Sequence, residues 1–129
     1  MAFESINPAT GNLVERFDPL DDRALHHRLD TAARAVAPWA ETRIEERCAL
    51  LTRLAVRLRE ERSALATLMT REMGKLIGEA KTELDKCALV CDHYAEQAAA
   101  YLKDELIASD AGQSLVACQP LGVVLAVIP

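Results

Sequence analysis

The sequence predicts an α/β fold in which a β-hairpin, four helices and then strands follow one another along 129 residues. Three observations predict it. Short apolar runs flank a turn near the N-terminus, apolar residues recur at helical spacing through the middle of the chain, and a nearly continuous valine-rich run lies at the C-terminal end. This order of elements is typical of a layered α/β domain.

Composition and charge describe one globular unit. Half of the residues are hydrophobic and 27% are charged, with a net charge of −5. An acidic chain is not expected to bind nucleic acid or an anionic membrane surface, since both partners require a basic surface. The uncharged run over 111–129 is interrupted by glycine and proline, so it is not a membrane span. The N-terminus has no secretory signal pattern, and a cytoplasmic protein is expected.

The first element is a β-hairpin. Apolar runs over Phe3–Ile6 and Leu13–Phe17 flank a turn that contains Pro8 and Gly11. Proline presets φ and glycine permits a positive φ, so these residues favour a longer hairpin turn. A hairpin of two strands is marginal in water, and we expect it to pack on another element.

Capping residues and a proline mark the predicted ends of the first two helices. Asp21 is a typical N-cap for the first helix, and Pro38 is expected to close it. Thr42 and Glu45 have the spacing of a capping box, which predicts that the second helix begins there.

The third and fourth helices follow. The third is predicted to begin near Ser63 and to stop at Gly74, which suits a left-handed residue after a helix end. The longest periodic segment, from residue 76 to about 106, predicts a fourth helix roughly 45 Å long, with Lys81 and Asp85 as an ion pair. The shorter helices cannot cover a helix of this length, so it is expected to belong to a larger body.

Two strand patterns complete the chain. Residues 114–119 form the first, and the apolar run over 121–128 is typical of a central strand that is buried on both faces. Such a strand requires parallel neighbours connected by crossovers of a dozen or more residues. The sequence stops at Pro129 before such a crossover, so we expect an incomplete part of a domain.

The four cysteines are expected to be reduced thiols. Cys87 and Cys91 lie one helical turn apart and have the spacing of two metal ligands, but His93 lies on another face, so core packing is favoured. Cys48 and Cys118 lie in apolar patterns that disfavour the reactive thiolate, and neither is expected to be a nucleophile. No metal site is predicted.

Charged and histidine residues are interpreted as solvated. His26 and His27 are expected on an exposed face of the first helix. No nucleotide-binding, metalloprotease or nucleophile-elbow motif occurs, so no catalytic residue is predicted within the chain. The charged side chains near Gly74 are expected to form solvated ion pairs with one another. These side chains are Glu72, Lys75, Glu79, Lys81 and Glu83.

Short motifs then follow one another along the whole chain. They are I-N-P-A-T-G at 6–11, Trp39, E-R at 46–47, M-T-R-E-M-G-K at 69–75, E-A at 79–80, K-C-A at 86–88, Y-A-E at 94–96 and Q-P-L-G-V-V-L-A-V-I-P at 119–129. Together they resemble the N-terminal part of an aldehyde dehydrogenase. Residues 69–75 and 87–96 are most similar to the succinate-semialdehyde dehydrogenase branch of that family.

The resemblance implies an enzyme that oxidises a small-molecule aldehyde to its acid, with NAD or NADP as hydride acceptor. The W-N-F-P segment, the nucleophile, the general base and the coenzyme-phosphate lysine of the family would all follow Pro129. Residues 1–129 would form an incomplete N-terminal segment of the coenzyme-binding domain and lead into its Rossmann-like sheet. Residues 113–120 would begin a strand used in oligomer contacts, within a homodimer or homotetramer.

Two residues carry an implied site role. Ile128 and Pro129 match the strand end that lines the coenzyme cleft, in agreement with the binding of ligands at the carboxyl ends of parallel strands. The alternative that Ile128 only completes a buried strand remains open. A second hypothesis for the whole chain is a small helical interaction or regulatory module without catalysis, which binds a partner through its long helix and C-terminal strand.

Overall fold

The computed structural model describes residues 2–110 and 112–127. It confirms the predicted order of a hairpin, four helices and then strands. The elements are β1 (Phe3–Ile6), β2 (Leu13–Phe17), α1 (Asp22–Ala40), α2 (Ile44–Glu60), α3 (Arg62–Met73), α4 (Ile77–Tyr101), β3 (Glu105–Ile107) and β4 (Ser114–Val116).

The hairpin forms at the predicted positions. β1 and β2 are antiparallel, with Phe3 opposite Phe17. The Asn7 side chain accepts a hydrogen bond from the Ala9 N–H at 2.9 Å, and the Gly11 N–H donates to the Asn7 carbonyl oxygen at 2.8 Å. Gly11 has a φ of 72°, which an L-residue adopts only at a cost, so glycine suits this turn.

The hairpin lies on the C-terminal end of α3, as expected for an element that is not stable alone. The Ser5 hydroxyl donates a hydrogen bond to the Glu72 carboxylate at 3.1 Å. A Cβ atom added to Gly74 would lie 3.0 Å from Cγ of Pro8. The turn therefore packs closely against the residue that ends α3.

The start of α1 is confirmed, but its predicted end is wrong. The Asp21 carboxylate accepts a hydrogen bond from the Ala24 N–H at 2.6 Å and caps the helix. Pro38 lies inside the helix, which continues to Ala40. Proline disrupts a helix through the hydrogen bond that it cannot donate, and here the helix ends within two residues of it.

The capping box predicted at Thr42 and Glu45 does not form. The Thr42 hydroxyl donates to the Pro38 carbonyl oxygen at 3.1 Å and so serves the end of α1. The N-cap of α2 is Arg43, which makes no side-chain capping bond. The hydroxyl turns towards an unsatisfied carbonyl of α1 because the two helices are separated by a very short connection.

Helix α4 is shorter than predicted. It ends at Tyr101, and its 25 residues correspond to about 37 Å. Leu106 lies instead in β3, where it is opposite Leu115 of the antiparallel strand β4. Residues 105–107, which were predicted to continue the helix, instead make strand hydrogen bonds to β4. The predicted stop of α3 is confirmed, since Gly74 adopts the left-handed conformation at φ 71°.

The core lies where α2, α3 and α4 cross. Alanine side chains are completely buried there, and Leu84 is 8% exposed. Small side chains allow helix backbones to approach closely, and larger residues close the cluster from its sides. The buried alanines are Ala55, Ala66, Ala80 and Ala88, and the flanking residues are Leu58, Leu65 and Met69.

The described part of the C-terminal apolar run forms no strand. Residues 121–127 belong to no strand in the described part of the chain, and Leu121 and Leu125 are 97% and 88% exposed. The predicted central strand is therefore not formed here, because a strand requires hydrogen-bonded neighbours that residues 2–110 and 112–127 do not supply. Within those same residues, no helix is long and apolar enough to cross a bilayer.

Candidate functional site

The predicted coenzyme residues, Ile128 and Pro129, lie outside the described residues. The segment that leads to them passes α1 and the start of α2. A groove of about 480 Å³ separates this segment from the helices, and its lining includes Trp39, Arg47 and Val124. The Nε atom of Arg47 is buried and has no hydrogen-bond partner among the described residues. A buried donor without an acceptor costs about 1–3 kcal/mol, so this face favours an additional partner.

A second groove, of about 1160 Å³, runs along the N-terminal half of α4, and we name it the α4 groove. It combines aliphatic surface with two lysines, two acidic side chains and two thiols. Its lining residues are Lys75, Leu76, Gly78, Glu79, Thr82, Glu83, Lys86, Cys87, Val90 and Cys91.

The prediction that Cys87 packs in the core is wrong. Cys87 is exposed and Cys91 is half-buried, because the buried stripe of α4 is formed by Ala80, Leu84 and Ala88. A helix turns by about 100° per residue, so Cys87 points well away from its neighbour Ala88. All four cysteines are free thiols, with Cys48 half-buried and Cys118 exposed.

Ion pairs join α4 to α2 and α3. Arg62 donates to Asp85 from Nε at 2.7 Å and from Nη2 at 2.6 Å, which connects α3 to α4. These hydrogen bonds hold the pKa of Asp85 below its ordinary value. Asp85 therefore pairs with Arg62 across the helix interface, and the predicted pair with Lys81 is not observed. Arg59 of α2 makes a similar contact to Asp92 of α4.

Of the five mixed charges near Gly74, two form a partly exposed ion pair, which confirms a solvated pair but not the predicted spacing of three or four residues. Lys75 pairs with Glu83, and both side chains remain partly exposed. The hydrogen bond to Glu83 raises the pKa of Lys75, and the charge of Glu79 acts in the same direction. The pair joins the connection between α3 and α4 to α4 itself, instead of joining residues one helical turn apart.

The histidines make contacts of other kinds. His26 and His27 are exposed, as predicted. Nε2 of His93 lies 3.0 Å from the hydroxyl of Tyr101. Nowhere in residues 2–110 and 112–127 do three His, Cys, Asp or Glu side chains come together as a metal site.

Sequence reasoning missed the roles of Arg47, Arg59 and Arg62. All three lie on helical faces that are rich in charge, and nothing in their spacing distinguishes a buried or bridging arginine from a solvated one. In the part of the chain that the structure describes, no hydrogen bond joins a cysteine to a histidine or carboxylate, so the thiols have no general base. The described residues therefore provide surfaces for binding, namely the two grooves.

Comparison with known proteins gives the family. Residues 1–129 match the profile of the aldehyde dehydrogenase family. A protein of Synechocystis sp. named probable succinate-semialdehyde dehydrogenase (NADP+) is 43% identical over 129 residues, which are 100% of this chain and 28% of that protein. The succinate semialdehyde dehydrogenase (NAD(P)+) of Escherichia coli is 37% identical over 125 residues, which are 97% of this chain and 27% of that one.

A solved structure has the same arrangement of elements. Succinic semialdehyde dehydrogenase from Streptococcus pyogenes, in complex with NADP+, superposes with a TM-score of 0.83 and is 36% identical. The match covers 88% of this chain and 25% of that one. The chain thus spans about a quarter of the length of the proteins that it matches.

Proposed function

The chain belongs to the aldehyde dehydrogenase family, and we propose that it forms the N-terminal part of an NAD(P)-dependent enzyme that oxidises succinate semialdehyde to succinate. The observation that carries the proposal is the match to the family over residues 1–129. The substrate is inferred from the names of similar proteins, of which one is 43% identical to this chain.

The helices of the chain serve this function as a scaffold. No nucleophile paired with a base is present in residues 2–110 and 112–127, so the reaction requires residues that this part does not contain. The bound coenzyme supplies the hydride acceptor. The contribution of this chain is to position the segment that approaches the coenzyme.

That segment is the apolar run that ends at Ile128 and Pro129. Its described part, over 121–127, is uncharged and largely exposed, with Val124 76% and Val127 87% exposed. Aliphatic side chains fit against the flat faces of the coenzyme rings, and residues 121–127 contain no cationic side chain for the coenzyme phosphates. We therefore assign Ile128 and Pro129 to the ring-binding side of a coenzyme cleft, at the end of a strand of a Rossmann-like sheet.

Residues 113–120 are assigned to oligomerisation. β4 lies within this range and pairs with β3 alone in the described part of the chain, which leaves its other edge unpaired. Leu115 and Val116 are 47% and 56% exposed. An exposed apolar edge strand favours pairing with another chain, which supports a homodimer or homotetramer of the complete enzyme.

The test compares the native protein with the isolated chain. The protein is captured from its source cells with an antibody against residues 76–106 and sized, and the reduction of NAD+ and NADP+ is followed with succinate semialdehyde and with acetaldehyde. We expect a polypeptide several times larger than 14.1 kDa that prefers succinate semialdehyde, and no turnover by residues 1–129 alone.

The outcomes separate the parts of the proposal. A larger polypeptide that prefers acetaldehyde would refute the substrate and keep the family chemistry. A native protein of 14.1 kDa without turnover would refute the enzymatic role and favour an interaction module.

A further inference from the structure

Two thiols face one groove on α4. Cys87 is exposed, Cys91 is half-buried, and both line the α4 groove. Residues four apart on a helix have Cβ atoms roughly 5–6 Å apart on the same side. A small ligand can therefore reach both sulfur atoms from one direction.

The spacing favours an ion between the sulfur atoms over a bond between them. A disulfide requires Cβ atoms about 3.5–4.5 Å apart, closer than one helical turn provides. Thiolates are soft ligands and select soft ions such as Cu(I). Zn²⁺ takes four ligands, and among residues 2–110 and 112–127 no third His, Cys, Asp or Glu joins the pair as a metal ligand. The arrangement thus fits an ion that is satisfied by two sulfur ligands.

A cationic side chain, that of Lys86, lines the same groove as the two thiols. Two thiolates around a monovalent ion carry one net negative charge, which a nearby lysine stabilises.

Two acidic side chains, Glu79 and Glu83, also line the groove. Glu83 forms an ion pair with Lys75, and the charge of Glu79 acts on the same lysine.

We propose that Cys87 and Cys91 bind one soft monovalent metal ion of the Cu(I) class through their two sulfur atoms. Each thiol loses its proton to solvent as its Cu–S bond forms, so one Cu⁺ displaces two protons. Copper and sulfur keep their oxidation states. The site shares no residue with the proposed coenzyme cleft and does not depend on the proposed aldehyde oxidation.

The experiment titrates the 129-residue chain with Cu(I) under anaerobic conditions against bicinchoninate, a chromophoric competitor. Cys87→Ser and Cys91→Ser test the site. Cys48→Ser and Cys118→Ser are the matched controls, since they remove a thiol elsewhere. Helical circular dichroism checks that each variant is folded, and light scattering reports whether copper joins two chains.

We expect one tightly bound Cu(I) per chain in the parent and in both controls, and none in Cys87→Ser or Cys91→Ser. X-ray absorption at the copper edge is expected to report two sulfur ligands. Retention of the ion in either test variant would overturn the proposal. A loss shared by a control, or a doubling of mass with copper, would instead assign the ion to other thiols or to a contact between chains.

Discussion

Substitution of Gly74 by alanine perturbs the contact on which the N-terminal hairpin rests. Gly74 has a φ of 71°, and an added Cβ would lie 3.0 Å from Cγ of Pro8. The left-handed conformation costs a residue with a Cβ about 1–2 kcal/mol. Displacement of the proline ring adds about 1 kcal/mol, at the low end for overpacking because Pro8 is exposed and can shift.

The expected loss in the free energy of unfolding is therefore about 2–3 kcal/mol for Gly74→Ala. Urea unfolding followed by helical circular dichroism measures it. With a slope of about 1–3 kcal/mol per molar urea, the midpoint should fall by roughly 1 M or more.

Two companion variants test the cause. Gly78 lies in α4 with nothing within 4 Å of an added Cβ, so Gly78→Ala should stabilise the chain by up to about 1 kcal/mol. Pro8→Ala removes Cγ, so Gly74→Ala should cost less in that background. An equal cost in both backgrounds would refute the steric part of the reasoning. Equal stability of Gly74→Ala and Gly78→Ala would refute the whole of it.

The helical core and its ion pairs give three further expectations. Leu84→Ala removes the large side chain of the α3–α4 cluster and should lower the free energy of unfolding, measured by urea titration, by about 2–5 kcal/mol. The control Leu89→Ala, at a 64% exposed position, should change that free energy little. Ala88→Leu should destabilise by about 1–3 kcal/mol in the same assay because Ala88 is completely buried between helices, and an unchanged midpoint would contradict close packing there. Arg62 lowers the pKa of Asp85 in the folded state, so this carboxylate stabilises the fold above its ordinary pKa near 4 and the contribution is lost as the pH falls through the lowered value. Asp85→Asn should therefore flatten the pH dependence of unfolding below about pH 4, and an unaltered acid transition would argue against the Arg62 pair.

Much of the architecture follows from local sequence signals. Asp21 caps α1 through its own side chain, and Gly74 ends α3 through its own backbone freedom. The hairpin turn likewise depends on residues within six positions of one another. Each of these features is decided by neighbours in sequence, so each was predicted at the right place.

The tertiary structure decided which partner each side chain meets. Thr42 hydrogen-bonds to the end of α1 instead of capping α2, and Asp85 binds Arg62 of α3 instead of Lys81 one turn away. A helical pattern indicates the spacing along one helix but not the distance to a neighbouring helix. Each side chain therefore bonds to the group that a neighbouring element places within hydrogen-bond distance.

The position of the buried stripe was decided in the same way. Cys87 fits the apolar period of α4, yet it is exposed because α2 and α3 cover Ala80, Leu84 and Ala88. A difference of one residue turns a side chain by about 100°, so a small shift in which face is covered moves a thiol from the core to a groove. The sequence by itself determined the N-terminal hairpin, the four helices and their order. Helix packing decided which residues are exposed and available for binding, and the strands after α4 depend on pairing partners that a local pattern does not specify.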